Sequence, residues 1–367
     1  MPGLPLYRRG NEGEAFIMSF DLNTLLRPNI KSLTPYSSAR DEFHGEAKIF
    51  LDANENSIGS PLVKWYNRYP DPYQHKIKEK LSAIKGVSPK QIFIGNGSDE
   101  CIDLLYRAFC NPGKDNVIIC PPTYGMYEVS ANINDIELRT APLLNDYQLD
   151  LVHMETLVDA NTKLIWICSP NNPTGNSINR DDIEMVLNNF DGLVIVDEAY
   201  INFARQRSCI SLLNEYPNLV VMQTLSKAWG LAGLRLGMSF ASEEIISIYN
   251  KIKPPYNISE AVQELVIKAL DNVEEVNAMI QELVKERGRL EEGLSKLNVV
   301  ERIYPSDANF LLVKVVHARA IYEYLLSNQI VVRDRSKVIL CEGCLRITVG
   351  TARENDEMLN ALQKFIV

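Results

Sequence analysis

Histidine is scarce in this sequence: His44, His75, His153 and His317 are the four among 367 residues. They stand alone, with no HExxH or HxH, so the spacing that lets imidazoles share an ion is missing and no metal site is expected. Cysteine lacks a pattern. The seven, at 101, 110, 120, 168, 209, 341 and 344, are odd in number and scattered, which argues against a disulfide framework and fits a reducing compartment. "CEGC" at 341–344 is a single CxxC with no second pair, so zinc binding or redox work is not expected of it. No apolar run nears the ~20 residues that cross a bilayer. The opening "MPGLPLYRRGNEGEAFIMSF" has a charged pair but no apolar h-region, so it does not read as a signal peptide. It reads as a loose leader, with Met18 as an alternative start, and the expected location is the cytoplasm. Cations are outnumbered, 38 Lys and Arg against 47 Asp and Glu, for a net charge of −9. With no basic stripe, neither nucleic acid nor membrane is an expected partner. Short groups such as "KWYNR" and "RDRSK" could still make local anion sites.

What is present is an ordinary globular composition, 46% hydrophobic and 23% charged, in a length that suits one large or two ordinary domains with a sizeable core. From about residue 90 to 250, short apolar runs alternate with helical stretches. "QIFIGNG" reads as a strand entering a glycine turn, and "SDECIDLLYRAF" as a helix with Ile102, Leu105 and Phe109 on one face. "NVIICPPTY", "KLIWICSPNNPTG", "GLVIVDEAY" and "NLVVMQTLSK" are near-continuous apolar strands of the kind that fill parallel sheets covered on both faces. "KPPYNIS" at 253–259 reads as a boundary, because its Pro pair stops the preceding helix. A long helical stretch at about 259–297 follows, then strands ("NFLLVKV", "LRITVG") mixed with helices ("ARAIYEYLLSN", "DEMLNALQKFI"). The expected fold class is therefore α/β: a mostly parallel sheet in a large domain (47–255), a smaller α+β domain (256–367), and a leader and arm (1–46) packing with the small domain.

In open parallel sheets, ligands sit beyond the carboxyl ends of the strands, and the polar clusters lie at such ends. "GNGSDE" at 95–100 is a strand–glycine–helix junction whose backbone N–H groups, with Ser98, either cradle a phosphate or simply open a helix capped by Ser98 or Asp99. It lacks the third glycine of GxGxxG, which weakens a dinucleotide reading. Thr224, Ser226 and Arg235 add hydroxyls and a fork-shaped cation at another strand end. Asp197 closes "LVIV", as a loop acid or as the counter-charge to a buried cation; Tyr200 follows three residues on. Asn172 in "SPNNPTGN" is a turn residue or an amide aimed at the same ligand. "LSKAWGLAGLRLG" (225–237) sets Lys227 among small and apolar residues, where an amine is seldom buried without a partner. One cofactor uses all of these groups: pyridoxal 5′-phosphate (PLP), whose aldehyde bonds a lysine, whose ring nitrogen needs an acid and whose phosphate needs donors.

"NPTG" (172–175), "DEAY" (197–200), "SKAWGLAGLRLG" (226–237) and "LRITVG" (345–350) jointly resemble the fold-type I PLP-dependent aminotransferases, over about 47–367. Within that class "LDANEN", "NRYPDPY", "GNGSDE", "PPTYGMY", "KPPYN" and "VVRDRS" look most like the histidinol-phosphate aminotransferases. The resemblance implies that Lys227 is the Schiff-base lysine and proton shuttle, and that Asp197 pairs with the ring nitrogen. It implies that Asn172 and Tyr200 bind the ring's 3′-oxygen, and that Tyr124 stacks on the ring. Ser98, Asp99, Thr224, Ser226 and Arg235 would hold the phosphate, joined by Tyr69 from the other subunit of a homodimer. Arg346, with Arg333 helping and Asn54 nearby, would bind the substrate's carboxylate or phosphate. The leader up to about Ile17 has no match, and the 333–344 loop is where members of the family differ.

The reaction implied is a ping-pong transamination between glutamate and imidazole-acetol phosphate, giving 2-oxoglutarate and histidinol phosphate on the way to histidine. Rivals on the same fold are an aromatic-amino-acid transaminase and a threonine-phosphate decarboxylase. A non-catalytic regulatory module with the same fold and a NAD-binding dehydrogenase are rivals of other classes.

Overall fold

The computed structural model of the chain describes residues 20–36 and 48–365; the leader, Met18, His44 and the 46/47 boundary lie outside them. Seven strands make one sheet: β1 (Ile92–Asn96), β2 (Asn116–Ile119), β3 (Glu137–Thr140), β4 (Thr162–Cys168), β5 (Leu193–Asp197), β6 (Leu219–Thr224) and β7 (Leu236–Phe240), in the order β1-β7-β6-β5-β4-β2-β3. The pairings from β6 across to β3 are parallel, whereas β7 runs antiparallel to both of its neighbours. The segment 225–235 between β6 and β7 explains the exception: a parallel return needs a crossover of about a dozen residues or more.

Strand alternation builds two cores at once. Ile165, Ile167, Val194, Val196, Leu219 and Val221 face one apolar cluster, while Leu164, Trp166, Leu193, Ile195, Val220 and Met222 face the other. Both faces are covered, which is why these strands read as unbroken apolar runs. β3 was not legible in this way: "ELRT" is an edge strand with its ends exposed, so nothing selects an apolar pattern.

Strands β8 (Val300–Ile303), β9 (Phe310–Val315), β10 (Arg333–Asp334) and β11 (Cys344–Thr348) form an antiparallel sheet in the order β10-β11-β9-β8. Leu311, Val313, Leu345 and Ile347 pack one of its faces against Leu290, Leu294, Ile321 and Met358. Phe310, Leu312 and Cys344 point the other way, into the core of the large sheet. The stretch expected as one helix near 259–297 is two, Glu260–Ala269 and Val273–Ser295. Its apolar spacing stays in phase across the break, so periodicity alone does not reveal it. Asp271 and Asn272 close the first helix with turn hydrogen bonds to Lys268 and Ala269.

The arm corrects one expectation. Over 20–36, Leu25, Leu26 and Ile30 join the cluster of Phe93, Ile102 and Tyr249 on the large sheet rather than packing with the small one. Arg27 fixes this placement, its N–H donating to the carbonyl of Ala108 at 3.1 Å and its guanidinium to that of Arg107 at 2.9 Å.

Candidate active site

Beyond the carboxyl ends of β4, β5 and β6 lies a cavity of about 740 Å³. Its wall contains Ser98, Asp99, Tyr124, Asn172, Asp197, Tyr200, Thr224, Ser226, Lys227, Arg235, Arg333 and Arg346. Asn54 and Tyr69 are outside it. Asn54 is exposed at φ +54°, and Tyr69 is half-exposed, its ring stacked on Tyr256 at 4.4 Å.

One end of the cavity is built for an anion. A helix begins directly after β1: it runs Gly97–Phe109, and the N–H groups of Ser98 and Asp99 in its first turn reach no backbone acceptor. Such a turn carries partial positive charge. Arg235 closes over it, its Nη2 3.1 Å from the carboxylate of Asp99, and Thr224 bonds Ser226 through their hydroxyls at 3.0 Å. Two glycines permit the approach. A Cβ at Gly97 would lie 2.7 Å from Arg235 Nη2, and one at Gly237 would lie 2.3 Å from the backbone nitrogen of Ser98.

The opposite floor holds Asp197, buried in register with Cys168 and Met222 on the neighbouring strands. Burial pushes its pKa up, while hydrogen bonds from Tyr127 Oη to Oδ2 (2.7 Å) and from the Ala199 N–H to Oδ1 (3.1 Å) pull it back toward the anion. Tyr127 is fully buried and stacks on Trp166 at 4.8 Å. Sequence reasoning passed over it: "PPTYGMY" drew the eye to Tyr124, whose hydroxyl instead reaches Asp99 at 3.2 Å. The available signal was a second aromatic three positions on, one helical turn away and therefore on the same side.

Lys227 is not sealed in. Water reaches its side chain through the cavity, so the residue is exposed, yet protein crowds it enough to lower its pKa. Desolvation is the main cause; Arg346 adds to it, Arg235 adds less, and Asp197 opposes. Its Nζ sits 5.7 Å from the centre of the buried Tyr200 ring. Asn172 Oδ1 accepts from Arg346 Nη1, which leaves the Asn172 amide N–H₂ free to donate into the cavity. Arg346 also lies over Phe310, 5.2 Å from the ring centre, and Arg335, which the sequence reading left unassigned, joins the same wall.

The site therefore offers an anion cradle, a buried acid and an amine with a depressed pKa in one cleft. The aminotransferase class I and II family model matches residues 63–362. The chain belongs to the class I and II aminotransferases. Among relatives of this aminotransferase, a histidinol-phosphate aminotransferase of Cytophaga hutchinsonii is 55% identical over 95% of this chain and 100% of its own, and one of Parabacteroides distasonis is 53% identical over 94% and 98%. The crystal structure of histidinol-phosphate aminotransferase from Sinorhizobium meliloti in complex with pyridoxal-5′-phosphate superposes with a TM-score of 0.74 at 25% identity, covering 81% of this chain and 82% of that one. Among the described residues of this aminotransferase no cluster of His, Cys, Asp or Glu is placed to hold a metal ion, and no helix is long and apolar enough to cross a membrane.

Proposed function

We propose that this aminotransferase binds PLP in the cavity and exchanges amino groups between glutamate and the phosphorylated ketone that yields histidinol phosphate, a step of histidine synthesis. The observation that carries the reading is the span of one cleft from the Gly97 helix end, through Asp197, to a wall of arginines. The cradle fits the cofactor on local grounds: it is an anion pocket whose glycines leave room for no Cβ, set across the cleft from a buried carboxylate.

When bound, the cofactor supplies an aldehyde that condenses with amines and a ring that draws electrons from the substrate's Cα–H bond. The chain does the rest. Ser98, Asp99, Thr224, Ser226 and Arg235 would hold the phosphate. Asp197, which accepts from Tyr127 and the Ala199 N–H, would hold a proton on the ring nitrogen. Asn172 and Tyr200 would donate to the 3′-oxygen, and Tyr124 would flank the ring. Lys227, with its depressed pKa, would take the proton from the substrate's α-carbon and deliver it to the cofactor's aldehyde carbon, C4′. Arg346 and Arg333 bind the substrate's anionic group, because a guanidinium fork suits both carboxylate and phosphate.

The reading includes a homodimer with shared sites. Ile49, Leu51, Ile58, Leu62, Val63 and Trp65 are exposed along one segment that also carries Asn54 and Tyr69. Apolar exposure of that extent marks an interaction surface. Tyr69 of a second copy would then reach the phosphate, with Asn54 near the substrate. Residues 47–255 would form the cofactor-binding domain and 256–367 the smaller one. All seven cysteines are free and buried, which suits a cytoplasmic home. An amino-donor screen tests the reaction: histidinol phosphate should outpace phenylalanine and tyrosine with 2-oxoglutarate, and threonine phosphate should release no CO₂. Preference for an aromatic donor, or CO₂ release, overturns it.

A further inference from the structure

We propose that Arg335 determines specificity for a phosphorylated substrate by adding a further guanidinium to the wall that receives the substrate's anion. The proposal rests on the reaction proposed above and names a residue to which neither the sequence motifs nor that mechanism gave a role.

The argument begins with register. On β10 and β11, Arg333 stands directly opposite Arg346, and pairing continues past β10 because the Arg335 N–H donates to the Cys344 carbonyl at 2.9 Å. Side chains opposite one another share a sheet face, and so do residues two apart on a strand. Arg333, Arg335 and Arg346 therefore emerge on one face, and all of them line the cavity. Like charges directly opposite one another destabilise a sheet, so this arrangement is unfavourable in the free protein.

Among the described residues no ion pair relieves it, and Asp334 acts on Arg335 only through space. Among the described residues neither Arg333 nor Arg335 forms an ion pair, and Arg346 bonds only the neutral amide of Asn172. Arg335 Nε is buried without any acceptor. The nearest acid in sequence, Asp334, lies between the two arginines on the opposite face and accepts instead from the Ser336 N–H at 2.8 Å. Arg335 is desolvated, next to another cation, and pointed at a cavity, with its pKa lowered by burial and by Arg333.

The chemistry of the ligand follows. A phosphate monoester carries close to two negative charges at pH 7 and three acceptor oxygens, whereas a carboxylate of glutamate carries one charge. Two guanidiniums satisfy a carboxylate. A third donor and charge contribute most to the phosphate, so Arg335 separates the two substrates that must use one pocket. The group "RDRSK", legible in the sequence only as an anion site of unknown place, thereby acquires one.

The test uses PLP-loaded wild type, Arg335→Gln and Arg335→Lys, following each half-reaction separately by the cofactor's absorbance change, with inorganic phosphate as a competing probe. Arg335→Gln should raise the half-saturating concentration of histidinol phosphate roughly 10- to 100-fold, the effect of one lost hydrogen bond to a charged group. Glutamate should shift by less than about threefold, because its carboxylate retains two partners. Inhibition by phosphate should weaken in parallel, and Arg335→Lys should restore part of it. An equal loss for glutamate and histidinol phosphate overturns the proposal, as does unchanged use of both. A melting temperature and bound-cofactor spectrum like those of the wild type show that the variant is folded; a variant that fails them leaves the decision to Arg335→Lys, which overturns the proposal if its two substrates shift equally or not at all. If wild type itself does not use histidinol phosphate, the proposed reaction fails, whatever Arg335 does.

Discussion

The hydroxyl of Tyr127 donates to Oδ2 of Asp197 across 2.7 Å in a fully buried setting. The bond ties the helix Met126–Ile133 to the end of β5. It favours the ionised acid where burial disfavours it.

Tyr127→Phe should therefore move the acid limb of activity. Removing a bond that lowers the Asp197 pKa raises that pKa, so the carboxylate protonates at higher pH. The acid limb of kcat/KM should move to higher pH, because a hydrogen bond that favours the ionised form is gone. A pH–rate profile checks it; an unmoved limb assigns Tyr127 to packing alone.

Gly237→Ala should cost cofactor binding. The new Cβ would sit 2.3 Å from the Ser98 nitrogen and 2.4 Å from the Gly97 carbonyl carbon, so the backbone of the anion cradle must move. Equilibrium dialysis should show PLP held at least ~10-fold more weakly, the cost of about 1.4 kcal/mol. Retention equal to wild type contradicts the cradle.

Tyr69→Phe tests the shared site. Alone it should weaken PLP retention. Mixed with Lys227→Ala, it should recover part of the activity, because a hybrid dimer assembles one site carrying neither substitution. Sedimentation of the mixture confirms that hybrids form; hybrids without activity place Tyr69 outside the site.

Lys78 should make one contribution to stability that grows with alkalinity. Burial, with Lys253 alongside, pushes this amine down to about 8. Between that value and its ordinary value of 10.5 the unfolded chain binds more protons than the folded one, so unfolding becomes harder as pH rises. The buried thiols, held protonated above their ordinary value, act in the opposite sense, so the test is a difference: the denaturation midpoint of wild type minus that of Lys78→Met should grow between about pH 8 and 10. A slope unchanged from wild type refutes the assignment.

How much of this was legible beforehand follows from what each residue depends on. Asp197 and Lys227 were legible because each ends or follows an apolar strand, where a charge demands a reason. Asn172, Arg235 and Arg346 came with motifs resembling a family, and all of them line the cavity. Tyr127 was not legible, because its partner lies 70 residues away and only the packing of a short helix aims it. Arg335 was visible as a charge but not as a site, since a strand of two residues has no pattern and takes its register from β11. The arm was misplaced because an amphipathic segment does not say which sheet it covers.

The central claim is that Lys227 is the amine bonded to the cofactor, and its most direct test is chemical. Protein isolated with vitamin B6 is reduced with borohydride, digested and examined by mass spectrometry. The account expects a phosphopyridoxyl mass on the peptide carrying Lys227 and none anywhere in Lys227→Ala. A label on another lysine, or an unmodified Lys227 in B6-replete wild type, contradicts it.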